Sequence, residues 1–158
     1  MGTFITTTDA ISIAVISDEI RYFSLLSEEW KKLIVPVWRK YSAYSTIYGL
    51  FVNSQLMGGG ILFNEMPPYA TLFEKNNAVL FQKGYLYLGY VWIVENYRNK
   101  GYASTFLSLL KKEKPNQKFW LTIEEENLRY FYEQNGFKMF AESDGIKTTK
   151  EWILIYDN

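Results

Sequence analysis

With 48% hydrophobic and 18% aromatic residues, 158 residues can bury a sizeable core, which excludes a disordered chain and predicts one domain over residues 1–158, with 1–10 as a loosely attached N-terminal extension. Lysine plus arginine and aspartate plus glutamate both number 17, so net charge steers the protein toward neither nucleic acid nor a membrane. Cys and His are both absent, which rules out disulfides, a thiolate metal site and a cysteine nucleophile, and removes the commonest general base and metal ligand; no metal is expected. The N-terminus lacks the basic-then-apolar pattern of a leader, and no apolar run is long enough for a bilayer, so the cytoplasm is the expected compartment.

Ile11–Ile16 reads as a first strand. Ser17 or Asp18 can cap a helix through Leu26, and Ser27-Glu28-Glu29 begins a second one with acids in its first turn. Trp30, Leu33, Ile34 and Val37 give that helix an apolar stripe, which Pro36 should kink or shorten. Residues 46–52 and 56–63 read as two strands joined at Asn53-Ser54-Gln55 as a hairpin. Gly58-Gly59-Gly60 suggests a bulge or a close approach of another chain or ligand; no helix follows it, so it is not a phosphate loop. In residues 64–84 Pro67-Pro68 breaks regular structure, and 70–82 can hold a short helix.

An apolar, aromatic run over 85–94 predicts a buried central strand. The turn Tyr97-Arg98-Asn99-Lys100-Gly101-Tyr102-Ala103 follows, and residues 103–112 then read as a helix burying Ala103, Phe106, Leu107 and Leu110. A glycine-bearing turn between a strand and a helix N-terminus is an anion site, because unpaired N–H groups and the helix dipole both favour negative charge there. Arg98 and Lys100 add side-chain charge. The ligand should carry phosphates, cradled by the amides of Asn99 to Ser104. Beyond it, Lys118–Ile123 reads as a strand and 125–135 as a helix with Leu128, Phe131 and Tyr132 on one face. Residues 137–142 and Trp152–Tyr156 should close the sheet as an antiparallel pair.

The spacing Arg98-x-x-Gly101-x-Ala103 resembles the acyl-CoA pyrophosphate loop of the GNAT (GCN5-related) N-acetyltransferases. About thirty residues on, Phe131-Tyr132-Glu133-Gln134-Asn135-Gly136-Phe137 resembles the helix end and following strand of the same family. The resemblance implies an α/β (α+β) fold with a central mixed, mostly antiparallel sheet of six to seven strands and about four helices. It implies acetyl-CoA as acyl donor, held by Arg98, Asn99, Lys100, Gly101, Tyr102, Ala103 and Ser104, with the backbone of Val91, Trp92 and Ile93 pairing the pantetheine arm where this strand splays from 119–123. It also implies that Tyr132 protonates the departing thiolate, and that a central-strand amide near Val91 polarises the carbonyl. Two positions depart from the family pattern. Glu125 stands where an asparagine often contacts the CoA arm, with Asn127 two residues later, and Glu95 replaces a frequent proline before the loop.

The attacking amine must be neutral, and without histidine the base is Glu, Asp, Tyr, a water relay or nothing dedicated. Glu65 and Glu74, entering the central strand, are candidate substrate-binding acids. Tyr85, Tyr87 and Tyr90 are alternatives that strand alternation sends to different faces. Glu124-Glu125-Glu126 is most simply an acidic helix start. The chain is thus expected to transfer acetyl groups to a primary amine, small or peptidic, by direct attack in a ternary complex, as a monomer or homodimer with no nucleic-acid or membrane partner. The rival reading on the same fold is a non-catalytic acyl-CoA sensor in which Tyr132 is a core residue. Another nucleotide-binding α/β fold lacks support, since neither Gly-x-Gly-x-x-Gly nor Gly-x-x-x-x-Gly-Lys-Ser/Thr occurs.

Overall fold

The computed structural model describes residues 9–157, so the reading of residues 1–10 as an extension falls almost wholly outside them. Seven strands form one sheet: β1 (Ile11–Ile16), β2 (Ser45–Val52), β3 (Gln55–Phe63), β4 (Tyr85–Ile93), β5 (Lys118–Ile123), β6 (Lys138–Glu142) and β7 (Trp152–Tyr156). They lie in the order β1-β2-β3-β4-β5-β7-β6. The β4–β5 pair is parallel and the other five neighbouring pairs are antiparallel.

Local chemistry sets the boundaries. Asn53 and Ser54, with φ of 51° and 71°, form the two-residue hairpin loop that suits strand twist, so β3 begins at Gln55. The Asn53 side chain accepts from the Ala10 amide at 2.9 Å and anchors the start of β1. Helix α1 (Glu19–Phe23) is shorter than the predicted run to Leu26, and Asp18 makes no side-chain cap. Helix α2 (Glu28–Ile34) is capped as expected, Ser27 accepting from the Trp30 amide. It stops before Pro36, whose lack of an N–H forces a 3-10 turn over Val35–Val37. The chain resumes as α3 (Trp38–Tyr41). In place of one short helix in 70–82 there are two single turns, α4 (Leu72–Lys75) and α5 (Val79–Gln82), the first held by a Thr71–Glu74 capping box. Among the described residues only α6 (Tyr102–Glu113) and α7 (Glu126–Gln134) are long helices.

Two cores sandwich the sheet. On one face Tyr22, Phe23, Ile34, Trp38 and Leu80 from the short helices pack on Phe63, Tyr87 and Trp120. On the other, Phe106, Leu107 and Leu110 of α6 and Tyr132 of α7 pack on Leu62, Leu88, Phe119 and Leu121. Each large side chain so buried contributes about 1.5–3 kcal/mol relative to exposure.

The decisive irregularity lies in β4. Gly59 pairs with Trp92 and Ile61 with Gly89, so Tyr90 and Val91 oppose Gly60 alone. This β-bulge places Tyr90 at φ 53° and reverses the parity of the strand. Tyr85, Tyr87, Tyr90 and Trp92 consequently share one face, with Leu86, Leu88, Val91 and Ile93 on the other. The expectation from alternation, which separated Tyr90 from Tyr85 and Tyr87, is corrected by that one extra residue.

The glycine run is a close approach between strands as well as the partner of the bulge. A Cβ on Gly58 would sit 2.4 Å from the Trp92 carbonyl oxygen, and one on Gly59 would sit 2.1 Å from that of Tyr48. Both neighbours are backbone, so neither can yield without moving a strand. Gly58→Ala should therefore destabilise the protein by about 2 kcal/mol or more, within the range for overpacking. Urea unfolding should show a lower midpoint at unchanged m-value.

Candidate active site

The parallel β4–β5 ladder runs only through Tyr85–Lys118, Leu86–Phe119 and Tyr87–Trp120. Both strands continue, β4 to Ile93 and β5 to Ile123, but they diverge. Between them opens a cleft of 1110 Å³ walled by Leu88 and Tyr90 to Ile93 on one side and Leu121 to Ile123 on the other. Its volume lies just above the usual range for small-molecule sites.

One end of the cleft is the turn into α6. Asn99 and Gly101 lie in the left-handed region, at φ 61° and 86°. Gly101 is the N-cap and supplies no side-chain acceptor. The first helical amide bond comes from Thr105 to the Gly101 carbonyl, so the amides of Tyr102, Ala103 and Ser104 have no intrahelical partner. A Cβ on Gly101 would meet nothing within 4 Å, so the space in front of these donors is open. They form a cradle suited to a phosphate group. Asn135 donates to Ser104 Oγ at 3.2 Å and ties the end of α7 to this turn.

Arg98, Asn99, Gly101, Tyr102, Ala103 and Ser104 all line the cleft, and Lys100 does not; its ammonium lies over the Tyr97 ring instead. Arg98 folds back on the strand: its Nε donates to the Ile93 carbonyl at 2.7 Å and its guanidinium stacks 4.3 Å from the Trp92 ring. The Ile93 carbonyl is therefore engaged within the protein. Tyr102 donates its hydroxyl to Asp9.

Tyr132 lines the cleft. The end of α7 positions it: the Phe137 amide donates to the Tyr132 carbonyl and the Gly136 amide to that of Glu133, with Gly136 at φ 91°. This is a Schellman cap, and its hydrophobic contact is Phe137 against Tyr132, with centroids 5.4 Å apart. The motif around Tyr132 is thus a mechanical device that fixes one ring. Among the described residues nothing hydrogen-bonds its hydroxyl, and burial pushes the phenol pKa up to about 12. It is protonated at neutral pH.

The other end is acidic and aromatic. Glu74 lies in the cleft wall and is buried. Its Oε1 accepts from the Thr71 amide at 2.9 Å and its Oε2 from the Tyr87 hydroxyl at 2.6 Å. Burial and then the Glu74 charge hold the Tyr87 pKa well above its ordinary value. Burial also pushes Tyr90 up to about 12. Glu65 is exposed and lines a smaller hollow with Tyr41 and Tyr44, outside the main cleft. Glu124 and Glu125 line the mouth, and Asn127 does not.

Sequence reasoning missed Glu151. It is 4% exposed, lines the cleft and accepts from the Thr71 hydroxyl at 2.9 Å. Burial raises its pKa above the ordinary carboxylate value. The available signal was a lone acid abutting a wholly apolar strand. Among the described residues no cluster of His, Cys, Asp or Glu suits a metal ion, and no helix is long and apolar enough to cross a membrane.

Residues 13–137 match the model of the acetyltransferase (GNAT) family, and the chain belongs to that family of acyl-CoA-dependent N-acetyltransferases. No curated protein matches it in sequence. Among solved structures, a Bacillus subtilis acetyltransferase in complex with CoA superposes with TM-score 0.65 at 13% identity, covering 94% of this chain and 99% of that one. A spermidine N-acetyltransferase chimera from Vibrio cholerae and hSSAT gives 0.62 at 13% identity, covering 92% and 94%. A Bacillus anthracis structure in complex with acetyl coenzyme A gives 0.54 at 14% identity, covering 73% of this chain; this chain spans 63% of its length. At these identities the likeness concerns the fold.

Two predictions follow from the geometry. Gly101→Val should leave the fold largely intact, since there is room for the side chain, but the branched residue cannot hold φ 86° without strain of about 1–3 kcal/mol. It should abolish CoA binding in a calorimetric titration. For Glu151 the folded pKa lies above the unfolded value, so the native state binds the proton more tightly and stability is lost as pH rises through the folded pKa. Glu151→Gln should therefore gain thermal stability relative to wild type as pH rises from 4 to 8, read as Tm in a scan series.

Proposed function

We propose that this protein transfers an acetyl group from acetyl-CoA to a primary amine by direct attack within a ternary complex. The observation that carries the reading is the cleft itself: an open strand edge joins a cradle of unpaired helix amides to a tyrosine hydroxyl with no partner among the described residues. The residues present suit such a donor. The amides of Asn99 to Ser104 would hold the pyrophosphate, and the edge of Val91 and Trp92 would align the arm. The Ile93 carbonyl, engaged by Arg98, leaves that residue less to offer. Arg98 adds positive charge to the wall from its stack on Trp92. An amide at or near Val91, beside the bulge, would polarise the thioester carbonyl.

Tyr132 supplies the proton to the leaving sulfur. Its ring is fixed by the cap of α7, and its phenol stays protonated across the physiological range. The absence of any cysteine from the chain leaves no thiol to carry an acyl-enzyme. Support for an amine acceptor comes from family membership and from the spermidine acetyltransferase among the structural relatives. The sensor alternative would have Tyr132 as a core residue, and a core phenol ordinarily finds a partner; this one has none among the described residues. The cytoplasm remains the compartment expected from composition.

Acetyl-CoA binds only the folded state, so it should raise Tm by an amount that grows with concentration; no shift at millimolar ligand would refute the reading. Tyr132→Phe keeps the ring's packing and removes the proton donor. Its single-turnover rate should fall by about 10²–10⁴-fold with acetyl-CoA affinity unchanged. A rate within twofold of wild type would return Tyr132 to the core and favour the sensor.

A further inference from the structure

Glu74 and Glu151 are the buried carboxylates among the described residues, at 6% and 4% exposure. Neither takes part in any of the ion pairs formed by described residues. They share Thr71, whose amide donates to Glu74 and whose hydroxyl donates to Glu151. Buried charges are ordinarily paired, because desolvating a lone carboxylate is costly. Two carboxylates joined through one threonine and lacking a cation among the described residues leave a deficit of positive charge that a ligand can fill. Glu74 has both oxygens occupied. Glu151 has only Oε1 occupied, and Oε2 accepts from no described residue.

We propose that Glu151 is the proton acceptor for the substrate amine: the acceptor enters as an ammonium, donates to Glu151 Oε2, and gives up its proton there before attack. The proposal rests on the acetyl-transfer reading and adds to it the base and the charge state of the acceptor. The cleft's charges agree. Glu29, Glu74, Glu124, Glu125 and Glu151 line it against Arg98 alone, and Arg98 stands on Trp92 beside the phosphate cradle. The competing bases are poorly placed to act. Tyr87 already donates to Glu74, and Tyr90 is held in its protonated form by burial.

Glu151 is faced by Glu74 from α4 and by Glu124 just beyond β5; burial is the largest influence and raises its pKa, the bond from the Thr71 hydroxyl opposes it, and the two acid charges add to the rise. On its own segment, Lys150 is paired with Glu142 at 2.9 Å and does not oppose this. A carboxyl so raised is a better base for an ammonium than a solvated one.

The protons balance. Of the three on the ammonium nitrogen, one passes to Glu151 Oε2, which frees the lone pair. That pair forms the new C–N bond to the thioester carbonyl carbon while the C–S bond breaks and its electrons leave on sulfur. Tyr132 gives its phenolic proton to the sulfur and regains one from the nitrogen. The third proton stays on the amide, and Glu151 releases its own to solvent.

The test uses the full chain with acetyl-CoA and three probe amines: propylamine, 1,4-diaminobutane and phenethylamine. Glutamine at position 151 keeps an oxygen for the Thr71 hydroxyl, so a purely structural role predicts no change in Glu151→Gln. If Glu151 is the base, the variant's single-turnover rate at pH 7 falls by about 10²-fold or more, while Tm does not fall and acetyl-CoA affinity holds. Its rate then rises about tenfold per pH unit where wild type levels off, because free amine must come from solution. A Glu151→Gln rate within threefold of wild type with the same pH profile overturns the proposal. So does a loss matched by weaker acetyl-CoA binding or by a lower Tm, since either assigns Glu151 to scaffolding. Wild-type protein that binds acetyl-CoA but acetylates none of the three amines overturns the transfer reading itself, and this inference with it.

Discussion

Everything in this molecule that resembles a site depends on a ladder that stops early. The β4–β5 pairing ends at Tyr87 and Trp120, three residues short of the end of β5. A parallel pair ordinarily keeps its hydrogen bonds along its length, and backbone groups left unpaired away from water are costly. Here the strands part because β4 is bent by the bulge at Tyr90 and Val91, which is accommodated in turn by the glycines of β3. The two strands are held together at the root of the cleft by aromatic packing. Tyr87 meets Trp120 edge-on at 4.7 Å, and Phe81 meets Trp120 at 5.3 Å. Beyond that wedge the strand edges are free to bind something else.

The two cores serve the two ends of the opening differently. On the α6–α7 side, the Schellman cap of α7, the bond from Lys111 to the Asn135 carbonyl and the Asn135–Ser104 contact join three features into one rigid corner. These features are the amide cradle in the first turn of α6, the tyrosine near the end of α7, and the third turn of α6, which carries Lys111. On the other side, the short helices supply Trp30, which meets Tyr90 and Trp92 at 5.3 Å each and roofs the bulge. Tyr22 closes the arrangement by donating to the Tyr90 carbonyl at 2.7 Å, so the bulged residue's backbone is satisfied within the fold. Strain at a positive φ of this kind persists only where the surroundings over-determine it.

Electrostatically the cleft is polar along its length. Unpaired amides and Arg98 lie at the α6 end, and carboxylates at the end bounded by α4 and β7. An anionic group and a cationic group would be drawn to opposite ends. The net charge of zero hides this separation completely.

The sequence by itself determined the elements whose signals are local. The hairpin at Asn53, the turn before α6, the glycine that caps α7 and the aromatic run of β4 are each readable because positive φ, an orphan amide or an apolar run constrains residue choice within a few positions. Tyr132 was singled out only through the resemblance of 131–137 to a family motif; the structure shows that those residues form the six-residue cap from Tyr132 to Phe137 that fixes the ring. The tertiary structure alone decided the rest. The bulge in β4 is imposed by its pairing with β3, so nothing within 85–94 announced that Tyr90 would join the face of Tyr85 and Tyr87. Arg98 folds back because Trp92 and the Ile93 carbonyl lie within its reach, which is a matter of strand curvature. Residues 64–84 break into two turns whose placement depends on Thr71 meeting a residue eighty positions on. That residue, Glu151, reaches the cleft only because β7 pairs antiparallel with β5 in a register that sets Trp152 opposite Ile123. Register across a sheet is fixed by the burial of both strands at once, and no stretch of either strand alone contains it.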